Sequence, residues 1–192
     1  MTEFQAYFQV GYKHIIAIDA LDHLLFVAVL SILYSWKNWK TLLILITAFT
    51  IGHSITLALS ALNILVFPTK TVEMLIPLTI ILTAVYNFFD NPNATNTFKI
   101  RYVIALVFGF VHGFAFSNLL KSMFALSNEN IILKLFAFNV GIEFGQITAL
   151  LIYLSISSIL IKILGDKNKH HLTLVFSAIV IILSGQMFLG RI

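Results

Sequence analysis

The sequence predicts an all-α protein, a polytopic bundle of six transmembrane helices. Three observations carry that prediction. Of 192 residues, 59% are hydrophobic and only 10% are charged, whereas about a quarter of an average soluble domain is charged. The mean hydropathy is +0.97. Six stretches also reach the roughly 20 apolar residues that a helix needs to cross the hydrocarbon core. This composition excludes a soluble domain, a disordered chain and a secreted disulfide scaffold. The cysteine count is zero, which removes thiolate metal ligands and cysteine nucleophiles. The net charge of +4 reads as loop lysines that hold topology, not as a nucleic-acid surface, because no basic run with interleaved aromatics is present.

The expected spans are Ile15–Tyr34, Thr41–Leu62, Thr71–Phe89, Ile100–Leu120, Leu133–Leu164 and Leu172–Leu189. The first carries Asp19, Asp22 and His23, and the fifth is long enough to tilt or to extend past the membrane. The connections are short. Ser35–Lys40 (SWKNWK) has the tryptophans and lysines of an interfacial anchor. Asn63–Lys70 contains Pro68, Asp90–Lys99 is rich in turn residues, Lys121–Asn130 is polar and Gly165–His171 is basic. No connection has room for a second domain, so residues 1–192 form a single transmembrane domain. Residues 1–14 read as a short interfacial segment, because they lack the basic start and apolar core of a signal peptide. Lysines and arginines number seven on the side of Lys37, Lys40, Lys99, Arg101, Lys162, Lys167 and Lys169. They number five on the side of Lys13, Lys70, Lys121, Lys134 and Arg191. The bias places both termini outside.

Function is carried by the ionisable residues inside these spans. A charged side chain at mid-bilayer costs about 2.5–3.5 kcal/mol on insertion scales. Yet the first span holds Asp19, Asp22 and His23, with His14 at its start. The second holds His53 beside Ser54, the third Glu73, the fourth His112, and the fifth Asn139, Glu143 and Gln146. Counted from Lys13, Lys40, Arg101 and Lys134, the groups His23, His53, His112 and Glu143 fall roughly 14–20 Å into a core about 30 Å thick. Glu73 is shallower on the same side. Faces agree with depths. Asp19, Asp22 and His23 share one helix face, and Asn139, Glu143 and Gln146 form a stripe at i, i+4, i+7. Thr47, Thr50 and Ser54 make a weaker stripe next to His53. Gly109-x-x-x-Gly113 and Gly141-x-x-x-Gly145 predict close helix approach beside His112 and Glu143.

Each residue also has a purely structural reading. His53 or His112 is compatible with a helix–helix hydrogen bond, and Asn139 and Gln146 with packing glue. Asp22 and His23 are compatible with pairing inside their own helix. Glu73 suits a first-turn carboxylate on a helix dipole. His14 suits an interface, and His170 and His171 a solvated loop. Phe114 and Phe116 call for nothing beyond packing. The common depth has no such reading. Imidazole and carboxylate together favour nickel, cobalt, zinc, copper or iron over alkali cations. Metal-bound histidines also need a carboxylate or amide partner to orient them, a role open to Asp19, Asp22, Glu143, Asn139 and Gln146, with the Ser54 hydroxyl next to His53 as a further neighbour. Binding would weaken at low pH and release protons.

Several collinear blocks resemble the HupE/UreJ family of hydrogenase and urease accessory membrane proteins. They are Gly11-Tyr-Lys-His14, Leu21-Asp-His-Leu-Leu-Phe26, Thr47-Ala-Phe-Thr-Ile-Gly-His53-Ser54, Val72-Glu73, Val111-His112-Gly-Phe-Ala-Phe116 and Phe138-Asn-Val-Gly-Ile-Glu143-Phe-Gly-Gln146. The resemblance implies a permease for a divalent metal, nickel or cobalt first and zinc next, in a bacterial inner membrane. The metal would be held by Asp22, His23, His53, His112 and Glu143, with His14, Asp19 and Glu73 towards the entrance. The spacing from His14 to Asp22-His23 is longer than the family pattern. No ATP-binding motif is present, so energy would come from an ion gradient or a metal sink. The expected partners are the metal ion and membrane lipid, with a metal-delivery protein compatible. Two alternatives use the same cluster: an intramembrane zinc-dependent hydrolase with a metal-activated water, and a metal-binding accessory protein. The inner halves of the spans are poor in polar residues, which suits the hydrolase or an inward-closed transporter.

Overall fold

The computed structural model describes residues 1–17, 20–89, 97–124, 131–165 and 169–192, without the side chains of 117–124 and 169. These residues form seven α-helices and a single 3₁₀ turn at Trp36–Asn38. The helices are α1 (Glu3–Ile16), α2 (Leu21–Ser31), α3 (Trp39–Ala61), α4 (Thr69–Phe89), α5 (Thr97–Phe124), α6 (Ile131–Leu164) and α7 (Lys169–Leu189). No strand occurs among the described residues.

The helices α3 to α7 are each long and apolar enough to cross a membrane. The expected first span differs. Ile15–Tyr34 is not one helix but the end of α1 and the whole of α2, whose axes bend by 67°. The reason is local. Ala17 is extended (φ −66°, ψ 144°), which stops α1, and α2 restarts with Asp22 in its first turn, where a carboxylate favours a helix N-terminus. Hydropathy cannot register such a break, because alanine and isoleucine are apolar in either conformation. Asp19 lies outside the described residues. The expected polar connection Lys121–Asn130 also gives way in part, since α5 continues to Phe124. At 34 residues, α6 is about 51 Å long, well beyond a core about 30 Å thick.

Two helix pairs make the most extensive contacts, α3 with α5 and α1 with α6. Both are laced by glycine. A β-carbon on Gly109 would run into Phe49 O, and one on Gly52 into Leu106 O. Likewise, a β-carbon on Gly11 would meet Phe138 O, and one on Gly141 would meet Phe8 O. The backbones therefore touch directly, as small-residue helix motifs allow. The partner of Gly141-x-x-x-Gly145 is α1, which runs parallel to α6, from Glu3 beside Lys134 to Ile15 beside Gly145.

Short α2 is packed against α4, α6 and α7. Two residues that served as depth markers prove to be buried: Arg101 is 0% and Lys134 1% exposed. Lys134 is covered because α1 lies over it, with Glu3 at 3.4 Å and the Tyr7 ring at 5.6 Å. Arg101 is covered by the end of α2. Its Nη1 donates to Leu30 O at 3.0 Å, and its Nη2 to Asn87 Oδ1. Asn87 Nδ2 donates in turn to Val29 O at 2.9 Å. The last carbonyls of α2, which a helix leaves unpaired, are thus satisfied by a cation and an amide.

Candidate metal site

The break between α1 and α2 is where the polar residues gather. His14 closes α1, and Asp22 and His23 open α2. His112 comes from α5, one turn from Gly109. Asp22, His23 and His112 each offer a ligand atom, and these atoms lie within 4.8 Å of one another. The His23 ring is 4.6 Å from the His112 ring and 4.6 Å from the His14 ring, centroid to centroid. The bend thus brings His14 next to His23 despite their long separation in sequence.

The hydrogen bonding is asymmetric. Asp22 Oδ1 accepts the His23 backbone N–H at 2.9 Å and lies 2.9 Å from His23 Nδ1. This fixes the His23 ring through Nδ1 and leaves Nε2 unbonded. His112 Nδ1 lies 3.2 Å from Phe108 O, which fixes that ring in the same manner. The Nε2 atoms of His23 and His112 are buried and have no hydrogen-bond partner. Buried polar atoms are nearly always bonded, and an imidazole oriented through one nitrogen with the other unused is the usual arrangement of a metal ligand. The donor set therefore fits a borderline divalent cation.

A cavity of about 300 Å³ reaches this cluster. Asp22, His23 and His112 lie in its wall with His14, and Glu73 and Arg191 also line it. Glu73 is exposed. Arg191 Nη2 is 3.4 Å from Asp22 Oδ2. The residues thus converge as a set of four around the cavity, with Glu73 beside them.

The other candidates sit elsewhere. His53, 0% exposed, stacks on Phe49 at 5.8 Å and lies 6.2 Å from Phe138. Neither of its ring nitrogens has a hydrogen-bond partner, but it is not in the cavity wall. Glu143 faces the seam between α3 and α6. Thr47 donates to Glu143 Oε1 at 2.6 Å, and Thr50 donates to Oε2. Thr50 is also 3.0 Å from Gln146 Oε1. The two polar stripes read from the sequence thus meet each other. Asn139 Nδ2 bonds Leu135 O in its own helix, and Ser54 bonds Thr50 O. His170 and His171 are exposed at the start of α7.

The profile described as HupE / UreJ protein matches residues 1–191. The chain belongs to the HupE/UreJ family. With its five long apolar helices, this HupE/UreJ chain is an integral membrane protein. No curated protein and no solved structure matches it.

Sequence reasoning missed two features of the site in this HupE/UreJ chain. One is Arg191, which charge counting treats as topology alone. The other is an aromatic collar. Phe108 is 4.0 Å from the His112 ring, and Phe116 is 4.1 Å from the His14 ring and stacked on Phe138 at 4.7 Å. The pairs Phe49/His53, Phe108/His112 and His112/Phe116 are all spaced i, i+4, which is the signal that was available.

Proposed function

We propose that this protein carries a divalent transition-metal ion across the membrane, with nickel or cobalt as the cargo. The observation that carries the reading is the pair of buried, unbonded Nε2 atoms of His23 and His112 next to the Asp22 carboxylate, at the wall of an open cavity. Family membership supports it. In this reading Asp22, His23 and His112 bind the ion, His14 completes the set, and Glu73 attracts cations at the entrance. His53 and Glu143 act deeper, on the path away from the cavity.

The broken helix supports transport in particular. In this proposal α1 and α2 together make a sixth crossing that starts near Glu3. The site then lies at a discontinuous helix near the bilayer middle, where many transporters bind their cargo. The cavity and both termini face outward in an inner membrane, in keeping with the lysine and arginine bias.

The test is uptake of radioactive nickel, cobalt and zinc by proteoliposomes. Wild type is expected to accumulate at least one of them. A variant carrying His23→Ala and His112→Ala is expected to accumulate none. Equal uptake by the two proteins refutes transport through this site. Binding without uptake in wild type would assign an accessory, metal-holding role instead.

A further inference from the structure

Arg191 sits just past α7, among the residues that line the metal cavity. Its two terminal nitrogens make different contacts. Nη2 is 3.4 Å from Asp22 Oδ2. Nη1 donates to the backbone carbonyl of Glu73 at 2.8 Å. That carbonyl is available for a definite reason. In an α-helix Glu73 O accepts from the N–H four residues later, which is position 77. Pro77 stands there, inside α4, and proline has no N–H. The proline thus leaves one carbonyl unclaimed by its helix, and the guanidinium takes it.

The contact with Asp22 is loose where the contact with Glu73 O is firm. A charge-assisted N–H···O bond is about 2.7–2.9 Å long, and 3.4 Å is well outside that. Asp22 Oδ1 is already committed to the His23 backbone N–H and faces His23 Nδ1. Oδ2 is therefore the oxygen left for a cation, and it is the one that Arg191 faces. No other lysine or arginine lines the cavity among the described residues.

We propose that Arg191 is a tethered competitor of the cargo: its guanidinium, anchored on the Glu73 carbonyl freed by Pro77, contests Asp22 Oδ2 with the incoming divalent cation and sets the affinity and charge selectivity of the site. This rests on the metal-site reading above. A divalent ion with imidazole ligands outcompetes one loosely held positive charge, whereas an alkali cation, with no affinity for imidazole, does not. Arg191 is in this sense a specificity-determining residue that touches the ligand carboxylate without itself binding metal.

The experiment measures nickel(II) affinity by calorimetry on the full chain in detergent, for wild type and variants. Arg191→Ala is expected to bind nickel about two- to fivefold tighter, the range that loss of a partly exposed ion pair allows. Arg191→Lys is expected to lie near wild type. In an Asp22→Asn background, Arg191→Ala is expected to change nothing. Unchanged or weaker nickel binding by folded Arg191→Ala overturns the proposal while leaving the metal site intact. If Asp22→Asn and His112→Ala both bind nickel as wild type does, the metal-site reading itself fails, whatever Arg191 does. A second measurement keeps Arg191 in place. The chain has no cysteine, so Gly190→Cys gives a unique label position next to Arg191. Nickel is expected to speed its reaction with maleimide, and not in the Asp22→Asn background. A rate indifferent to nickel overturns the proposal.

Discussion

The two ends of the eleven-residue α2 are finished in opposite ways. At the end near Leu30, a fully buried Arg101 and Asn87 bond the last carbonyls, with the Tyr34 and Tyr86 rings 5.5 and 5.8 Å from the guanidinium. At the end near Asp22, two buried imidazole nitrogens have no partner and a cavity reaches them. Both ends bury polar groups at equal cost in principle. Only one leaves them unused. Burial of polar residues in a membrane protein therefore does not by itself mark a site; unspent bonding capacity within reach of a cavity does.

The largest expected effect falls on the satisfied end. Arg101→Ala removes two charge-assisted bonds and leaves Asn87 Oδ1 and Leu30 O behind, which should destabilise the fold by about 3 kcal/mol. Thermal unfolding in detergent measures it, and a variant as stable as wild type would erase the contrast. On the unsatisfied end the loss falls on binding. His112→Phe keeps a ring beside Phe108 while deleting the orphaned Nε2, so stability should change by less than about 1.5 kcal/mol. Nickel affinity should fall by at least about a hundredfold, as read by equilibrium dialysis.

Acidification should act on the same end. An imidazole binds metal only when unprotonated, so if His23 and His112 hold nickel as proposed, binding should weaken as pH falls and each ion bound should release protons. Calorimetry in two buffers of different ionisation enthalpy detects that release. The smallest effect is expected at the seam between α3 and α6. Thr47→Val with Thr50→Val removes the hydroxyl donors of Glu143 and should lower stability by about 1 kcal/mol. Nickel stoichiometry at the cavity should not change, and a lost equivalent would join Glu143 to the site after all.

Much of this was legible in the sequence. The long apolar helices follow from hydropathy, and counting residues put His23, His53, His112 and Glu143 in one layer, with His14 at the entrance. Depth, however, is one coordinate. Glu143 was placed at the same level, yet it sits on another seam, because the angle of a residue around the bundle depends on which helices pair. That pairing was half visible in Gly109, Gly113, Gly141 and Gly145, but their partners were not. Arg101 and Lys134 illustrate the complementary limit. A lone cation beside an apolar run reads as an interface marker, and only packing shows that a guanidinium caps α2 or that α1 covers a lysine. The bend at Ala17 left no trace in composition, and it is the bend that carries His14 to His23.

The glycine contacts between α1 and α6, and between α3 and α5, have a mechanical consequence. Two backbones that interlock carbonyl against α-carbon cannot slide without climbing over one another, so each duo moves as a single plank. His14 rides on one plank, His53 and His112 on the other, and Asp22 and His23 on the hinge piece between them. In the proposed transport, rocking one plank against the other would separate His14, His23 and His112 along the seams between the planks, without unfolding a single turn.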